Sequence, residues 1–419
     1  MSQIYKNVTS QLQPSVPRAE TILIRGARQL ITLRGPARAR RGAELRDLAI
    51  IPDGALLIRD GRIAEAGPTR RVENLAAARG VREINAAGRV VMPGFVDGRT
   101  QLWPGLDLNG ASVESPHASP KFSAPSSRTL AARAGKVLAG MARHGTTTLC
   151  AATTAAADHS AELKMIRVLA GLHGKPLDVL AAYVGGADAE GGDPATRVES
   201  LCTKVIPVIS RRKLARFAVG NCRAFDPDVV RRLLECARKL GYQLRVWAGM
   251  SPLAIPLAVE MGALSIALDD IGEEEVGMLA RSRTIALLQP ASLYLRRSEH
   301  KPPARMLIES GAAIALASGF GLEDGPTYNM QMIVSLACSE MRMSAAEAIS
   351  AATINAAYAL GCGADCGSLE PGKRADVIIL NVEDYRDLAD RFGINHTHMV
   401  FKNGTAIYQE GEVTDWPGK

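Results

Sequence analysis

The sequence predicts an α/β protein in which a (β/α)8 TIM barrel carries a small β domain built from both chain ends. Three observations carry this prediction. The chain has 419 residues, enough for a barrel of about 250 residues and an attachment. Its middle part alternates apolar runs with amphipathic stretches, which is typical of a parallel sheet wrapped by helices. Both ends show short alternating strands with glycine turns.

These patterns divide the chain into three predicted parts. Residues 1–20 form a flexible tail, residues 21–92 join residues 365–419 in a composite β-sandwich, and residues 93–364 form the barrel. The two ends are expected to pair because short strands at both ends of a barrel have no other sheet to join.

The elements follow in chain order. The N-terminal strands lie in TILIRGARQLITL, GALLIRDGRIAEAG and GVREINAAGRVVMPG, and the C-terminal ones in GSLEPGKRADVIIL and HMVFKNGTAIYQEGEV. The predicted barrel strands are Arg89–Val96, Thr146–Ala151, Asp178–Val184, Arg216–Gly220, Gln243–Ala248, Ala263–Leu268, Thr284–Leu288 and Ala312–Ala317. A doubly wound sheet is the competing fold, but the chain lacks its glycine-rich phosphate turn. Eight units of a strand followed by a helix favour the barrel over the doubly wound sheet.

Composition excludes several classes of protein. The chain is 47% hydrophobic and 22% charged, which argues against disordered and fibrous proteins. No apolar run reaches the roughly 18 residues of a membrane helix, and Met1–Ala19 lacks the apolar middle of a signal peptide. We therefore expect a cytoplasmic protein without a membrane partner. The seven cysteines are scattered and odd in number, so structural disulfides are not expected.

The net charge of +7 is partly local, because five arginines crowd residues 34–46. No aromatic residues interleave with them and no recognition motif accompanies them, so a nucleic-acid partner is not expected. A solvated basic loop is the preferred interpretation.

Barrel enzymes place their chemistry at the carboxyl ends of the strands. The candidate pocket residues at these ends are Asp97, Arg99, Gln101, Asp188, Trp247, Met250, Leu268, Asp270, Ser318 and Gly319, with Gln289 after the seventh strand. No histidine is among them. The closely spaced pair His396 and His398 lies in the C-terminal β segment, where a structural role is favoured over a metal site.

The segment PGFVDGRTQL at residues 93–102 resembles the first-strand motif of the amidohydrolase superfamily, in which the phrase ends in a His-x-His metal pair. Longer stretches, among them HGTTTL, PPARMLIESGAAIALAS, AATINAAYALG and GSLEPGKRADVIIL, resemble imidazolonepropionases across residues 20–412. The resemblance implies a metal-dependent barrel of the amidohydrolase type. It also implies an activity of histidine degradation, the opening of a cyclic imidazolone amide by one bound metal.

The positions that matter for that chemistry differ from the family pattern. According to the resemblance, Arg99 and Gln101 replace the two first-strand metal ligands of the family. Trp247 replaces the fifth-strand histidine, and Gly319 replaces the eighth-strand aspartate. Four further positions depart from the family pattern. Met250 replaces the acidic residue near the fifth strand, and Leu268 replaces the histidine of proton transfer. Asp188 (or Ala187 after a shift of one residue) replaces the third-strand histidine, and the second-strand loop is replaced by residues 152–156.

Such a residue set is a poor metal site. A guanidinium such as that of Arg99 offers only donors, and Trp247 and Gly319 offer no side-chain lone pair to a metal. We therefore predict no cofactor, neither zinc nor iron; carboxylates such as Asp97 and Asp270 would hold at most a weak hard cation. Arg99 either replaces the charge of the metal by pairing with Asp97, Asp188 or Asp270, or reflects drift after the metal was lost, with Trp247 filling space.

The expected function is a catalytically degenerate imidazolonepropionase-like protein, with a binding or regulatory role. The alternative is an active hydrolase of a cyclic amide or another non-peptide C–N bond, with a site rebuilt around Arg99, Asp188 and Asp270. Expected partners are a second copy or a related enzyme, and a small molecule at the barrel mouth. The methionine-rich helix at 326–342 is interpreted either as an interface or as core.

Overall fold

The computed structural model describes residues 21–103, 125–153, 159–185, 193–249, 251–268, 271–296, 303–321 and 325–411. Its strands are β1 Ile22–Ile31, β2 Ile50–Arg59, β3 Arg62–Pro68, β4 Arg82–Asn85, β5 Val90–Pro93, β6 Phe95–Thr100, β7 Thr146–Ala152, β8 Asp178–Val184, β9 Phe217–Asn221, β10 Gln243–Gly249, β11 Ser265–Leu268, β12 Ile285–Leu288, β13 Ile314–Leu316, β14 Val377–Leu380, β15 Thr397–Lys402 and β16 Thr405–Gln409.

The helices alternate with the strands in the middle of the chain. They are α1 Thr69–Glu73, α2 Ser127–Arg143, α3 His159–Gly171, α4 Pro194–Ser200, α5 Ile206–Arg211, α6 Pro227–Lys239, α7 Ala254–Glu260, α8 Glu273–Arg281, α9 Pro290–Arg296, α10 Ala304–Glu309, α11 Met330–Met341, α12 Ala345–Ala352, α13 Ile354–Ala359 and α14 Asp387–Asp390. A π-helical turn at Leu201–Val205 links α4 and α5. No helix in the described part of the chain is long and apolar enough to cross a membrane.

Strands β6 to β13 form the predicted barrel. Each is hydrogen-bonded in parallel to the next along the chain. Two backbone hydrogen bonds then connect the last strand to the first: Gly319 donates to the Arg99 carbonyl at 3.1 Å, and Gln101 donates to the Phe320 carbonyl at 2.7 Å. The predicted eight-stranded α/β barrel is confirmed.

The two ends of the chain share a second sheet, in the order β16-β15-β14-β5-β1-β2-β3, with β4 paired to β1. The N-terminal and C-terminal segments meet where β5 pairs antiparallel with β14. Apolar side chains of both segments, including Ile24, Leu30, Val377 and Phe401, pack into one buried cluster. The pairing of the two chain ends therefore follows the sequence pattern.

The first predicted barrel strand, Arg89–Val96, is wrong in its bounds. The chain passes from the outer sheet to the barrel at Gly94, so that β5 ends before it and β6 begins after it. A side chain at Gly94 would place its Cβ 2.2 Å from the Thr147 side chain, so the crossing depends on glycine. Consequently Asp97 and Arg99 lie within β6 rather than after it.

The methionine-rich helix lies in the core. Helix α11 begins at Met330, with Asn329 accepting hydrogen bonds from the first-turn amides. Met330, Met341 and Met343 are at most 4% exposed and belong to the main hydrophobic cluster. Of the two interpretations left open by the sequence, the structure supports the core.

The arginine-rich stretch is not simply a solvated loop. Arg40 is 2% exposed and donates to the Leu33 carbonyl at 2.6 Å. Arg41 donates to the carbonyls of Ala280 and Gly311 on the barrel, and Arg38 pairs with Glu44 at 2.7 Å. These guanidinium groups attach the loop to the barrel because buried carbonyls need donors.

A charged cluster joins the amino end of the barrel to the outer sheet; we call it the seam and define it as Asp178, Arg374, Asp376 and Lys402. The Lys402 ammonium donates to both Asp178 and Asp376 at 2.7 Å, and Arg374 also pairs with Asp178. Lys402, Asp178 and Asp376 are at most 4% exposed. Each buried charge in the seam therefore has an opposite charge beside it.

Candidate functional site at the barrel mouth

Strand β6 places Asp97 in a fully buried position. Ser318 donates to the carboxylate through its backbone N–H at 3.0 Å and through its hydroxyl, and the backbone N–H of Arg99 adds a bond of 3.3 Å. Burial raises the pKa of Asp97 to about 6, although these hydrogen bonds and the charge of Arg245 oppose the increase. Asp97 therefore changes protonation state close to neutral pH.

Arg99, also on β6, is 4% exposed. Its Nη1 donates to Gln289 Oε1 at 2.8 Å, and its Cζ lies 4.2 Å above the centre of the Trp247 ring. The predicted pairing with Asp97 is not formed by the guanidinium, because Asp97 receives only the backbone N–H of Arg99. A cation is thus held inside the mouth by an amide and an aromatic face.

Gly319 follows β13 with φ of +68°, in the left-handed region. A Cβ added there would lie 2.6 Å from Gln289 Oε1 and 3.2 Å from Ser292 Oγ. The amide of Gln289 therefore occupies the space into which a side chain at position 319 would project. An aspartate there, as the resemblance implies for the family, would require Gln289 to move.

Gln101 and Leu268 complete the described candidates. Gln101 follows β6, and its Nε2 donates to the Thr153 carbonyl at 3.3 Å, at the end of β7. Leu268 ends β11 and is 1% exposed among apolar neighbours. The structure therefore brings Asp97, Arg99, Trp247, Ser318 and Gly319 together around the ends of three strands. Asp188, Met250, Asp270 and positions 154–156 of the second loop lie outside the described residues.

Two residues matter more than the sequence indicated. Gln289, a strand-end residue without an assigned role, contacts both Arg99 and the space beside Gly319. Arg245 was missed: it is 2% exposed inside the barrel and donates to the Gly98 carbonyl at 2.6 Å and to Cys150 Sγ at 2.8 Å. A signal existed, because Arg245 and Trp247 are two residues apart on one strand and so share a face.

The histidine pair of the C-terminal segment makes local contacts. His396 Nε2 lies 3.4 Å from the Arg391 carbonyl, and His398 Nδ1 lies 3.3 Å from a Glu410 carboxylate oxygen. Within the described ranges, no group of three or more His, Cys, Asp or Glu is arranged to hold a metal ion.

Comparison with known proteins identifies the lineage. The sequence profile of the amidohydrolase family matches residues 90–407. This chain belongs to the amidohydrolase family. Among its members, imidazolonepropionase from Solibacter usitatus is 34% identical over 91% of this chain and 97% of its own length. The imidazolonepropionase from Symbiobacterium thermophilum is 35% identical over 94% and 99%.

Two solved structures support the fold. An adenosine deaminase from Xanthomonas campestris with bound zinc has a TM-score of 0.70 and 17% identity, covering 94% of both chains. Atrazine chlorohydrolase from Arthrobacter aurescens TC1, complexed with zinc, has a TM-score of 0.69 and 18% identity, covering 93% of this chain and 95% of its own.

The described residues of this family member do not fit a metal of the expected kind. Zinc takes imidazole, carboxylate or thiolate ligands, whereas the positions that the resemblance gives to ligands hold a guanidinium, an amide, an indole and a glycine, at Arg99, Gln101, Trp247 and Gly319. Of these, the Arg99 guanidinium is a fixed positive charge and the Gln101 amide is turned toward β7.

Proposed function

We propose that this amidohydrolase-family protein is catalytically degenerate with respect to metal-dependent imidazolone hydrolysis and that its barrel mouth binds a small molecule instead. The observation that carries the proposal is the buried guanidinium of Arg99, stacked on Trp247 and bonded to Gln289. It stands at the position that the resemblance gives to the first metal-ligating imidazole.

Electrostatics favours this interpretation. Two unit charges 4 Å apart interact by about 4 kcal/mol at an effective dielectric constant of about 20. A divalent ion at that distance from Arg99 would therefore be repelled by roughly 8 kcal/mol, twice the value for a unit charge. A histidine at the same place would contribute a lone pair and no fixed charge.

The shape of the mouth supports the same conclusion. The Gln289 amide fills the space beside Gly319 and is held there by Arg99. Trp247, 5% exposed, belongs to the apolar cluster inside the barrel, whereas Leu268 packs in the cluster that includes the surrounding helices and so does not line the mouth as predicted. A metal with its bound water would therefore displace packed side chains, which costs free energy in a close-packed interior.

The test compares this protein with the imidazolonepropionase of Geobacillus kaustophilus, which is 33% identical over 94% of this chain. Both proteins are purified in parallel, offered Zn²⁺, Fe²⁺ and Mn²⁺, desalted, and assayed for bound metal and for turnover of imidazolone propionate. We expect metal well below one equivalent and no turnover in this protein. Near-stoichiometric metal together with turnover would overturn the proposal.

A second candidate function is a metal-free hydrolase of a cyclic amide or another non-peptide C–N bond. The observation that favours it is Asp97, whose pKa of about 6 suits a general acid or base near neutral pH and whose carboxylate receives the Ser318 hydroxyl. Such activity would follow an apparent pKa near 6 and disappear in Asp97→Asn. A panel of cyclic amides assayed across pH 4 to 8 separates the two functions, since the degenerate protein shows no turnover at any pH.

We also propose that the protein acts as a homodimer, or as a heteromer with a related enzyme. A barrel that no longer hydrolyses its substrate can still bind a ligand or regulate a partner enzyme. Light scattering of the pure protein, alone and mixed with an active imidazolonepropionase of the same cell, measures the mass of each assembly. A monomer in both samples would contradict the idea.

A further inference from the structure

A cavity of about 630 Å³ lies between the α4–α5 segment and α6, in the helical layer of the barrel. Two of its lining residues are cysteines, Cys202 of the π-helical turn and Cys236 of α6. Both cysteines are free and half-buried. Because the helices of a barrel surround its sheet, this cavity is separate from the mouth, and it opens both thiols to a molecule from solution.

Local structure brings the two cysteines together. Leu201 and Val205, at most 1% exposed, anchor the π-helical turn in the hydrophobic core, whereas Cys202 between them lines the cavity. Cys236 Sγ lies 3.7 Å from the Cys202 carbonyl oxygen. Single π-helical turns within α-helical segments are frequent at functional sites. Two separate helical segments therefore meet at the cavity, each contributing one thiol.

The two thiols also influence each other. Burial raises the pKa of the Cys202 thiol to about 12, and the hydrogen bonding and charge of the Cys236 thiol add to this increase. Cys202 is therefore protonated at neutral pH. A group attached to the Cys236 sulfur would remove the contribution of Cys236, so Cys202 becomes more reactive once Cys236 has reacted.

Charged side chains of both signs line the same cavity. Arg232 and Lys239 lie one turn before and one turn after Cys236 on α6, and Glu199 and Glu235 also contribute to the lining. A neighbouring cation favours the thiolate form of a cysteine, which is its reactive form. A peptide such as glutathione carries both ammonium and carboxylate groups, so its charges match those of the lining.

We propose that this cavity is a thiol–disulfide exchange site for a small peptide disulfide of the glutathione type. The Cys236 thiolate attacks one sulfur of the small disulfide, the S–S bond breaks, and the other half leaves as a thiol with the proton that Cys236 lost. Cys202 then loses its proton and attacks the Cys236 sulfur, and the second half leaves as a thiol with that proton. Two electrons thus pass from the protein to the small disulfide, and a bond between Cys202 and Cys236 remains.

A second cysteine pair separates proximity from access. The Sγ atoms of Cys362 and Cys366 are 3.4 Å apart, but these residues are 4% and 1% exposed and belong to the apolar cluster inside the barrel. Neither of them lines the cavity. A peptide disulfide can therefore reach Cys236 but not this pair, so Cys362 and Cys366 should stay reduced in the folded protein.

The experiment uses the full-length reduced protein in deoxygenated buffer with glutathione disulfide as the only oxidant. The remaining thiols are blocked by alkylation, and the products are identified by intact mass and by mapping of proteolytic peptides. We expect one internal disulfide, seen as the loss of two hydrogens, that joins Cys202 to Cys236 and is reversed by dithiothreitol. Circular dichroism confirms that the protein stays folded during the reaction.

Three variants assign the two steps. Cys202→Ser stops the reaction at the mixed disulfide, so glutathione stays attached to Cys236. Cys236→Ser prevents the internal disulfide, and glutathione attachment in the cavity falls at least about tenfold because Cys202 is protonated. Cys338→Ser is the matched control: Cys338 is also half-buried but does not line the cavity, so this variant forms the same internal disulfide as the unchanged protein.

Any of four results would contradict the proposal. The folded protein keeps all of its thiols reduced; Cys362 and Cys366 are oxidised as readily as the cavity pair; Cys338 takes up glutathione as fast as Cys236; or the unchanged protein accumulates only the mixed disulfide, without the internal one. The measurement does not depend on turnover or metal content, so its failure leaves the proposed function of the mouth unaffected.

Discussion

The seam and the mouth lie at opposite ends of the same barrel and treat buried polar groups differently. At the seam, Lys402 lies between Asp178 and Asp376, at 2.7 Å from each. At the mouth, Trp247 Nε1 and Gln289 Nε2 are buried without an acceptor among the described residues. The seam pairs its buried charges with one another, although Arg374 Nε there also lacks a hydrogen bond among the described residues, whereas the two mouth donors are neutral groups.

This difference agrees with the different roles of the two ends of a barrel. The amino ends of the strands, where Asp178 begins β8, serve stability, whereas the carboxyl ends carry the site. Buried polar groups without a hydrogen bond lower stability. Asp97 is a carboxylate at the mouth, whereas the positions that the resemblance gives to metal ligands hold Arg99, Gln101, Trp247 and Gly319.

The largest expected effect tests the seam. Lys402→Met removes the cation shared by two buried carboxylates, and breaking a buried pair in this way costs about 3–5 kcal/mol of unfolding free energy. Arg25→Met is the control, because Arg25 and Glu83 form an exposed pair at 2.6 Å and such pairs contribute less than about 1 kcal/mol. Urea denaturation measures both. Equal losses of unfolding free energy in the two variants would show that the seam stabilises the protein no more than an exposed ion pair does.

The next effect concerns Asp97 and pH. Its pKa is about 6 in the folded protein against an ordinary 3.8, so the folded state holds the proton more tightly. Between about pH 4 and pH 6 the unfolding free energy should therefore fall as pH rises, by about 3 kcal/mol from this residue. Asp97→Asn should lack that part of the slope. Identical pH profiles of the two proteins would rule out a buried, titrating Asp97.

A third prediction concerns the packing beside Gly319. Gly319→Ala adds left-handed strain and a contact of 2.6 Å with Gln289, so we expect a loss of about 2–3 kcal/mol. Gly262→Ala is the matched control: its φ of +67° is the same and a Cβ there meets nothing within 4 Å, so it should lose about 1–2 kcal/mol. Thermal unfolding measures how much more stability Gly319→Ala loses than Gly262→Ala. Adding Gln289→Ala to the Gly319→Ala protein should remove this extra loss.

The smallest effect compares two tryptophans without ligand. Trp103→Phe breaks a hydrogen bond and leaves the Leu130 carbonyl without its donor. Trp247→Phe removes an orphan donor. The lost volume is the same, so Trp103→Phe should be less stable than Trp247→Phe by about 1 kcal/mol or more. Equal melting temperatures would indicate that Trp247 Nε1 already has an acceptor, such as bound water.

Local patterns were sufficient for the architecture. Apolar runs of strand length recur between amphipathic helices, and this repetition predicted seven of the eight barrel strands, several to within one residue. The first strand failed because the passage at Gly94 depends on a contact with Thr147 on the neighbouring strand. Strand periodicity alone cannot report a change of sheet between two adjacent apolar segments.

The sequence by itself determined the family and the replaced positions, since residue identity at a strand end is a local fact. It offered Asp97 as one possible partner of Arg99, and only the tertiary structure decided that Gln289, 190 residues away along the chain, accepts from Arg99 while Asp97 accepts from Ser318. The tertiary structure also decided that Trp247 Nε1 has no acceptor among the described residues. Hydrogen bonding and burial depend on which strands close the barrel together, and that is a property of the folded chain.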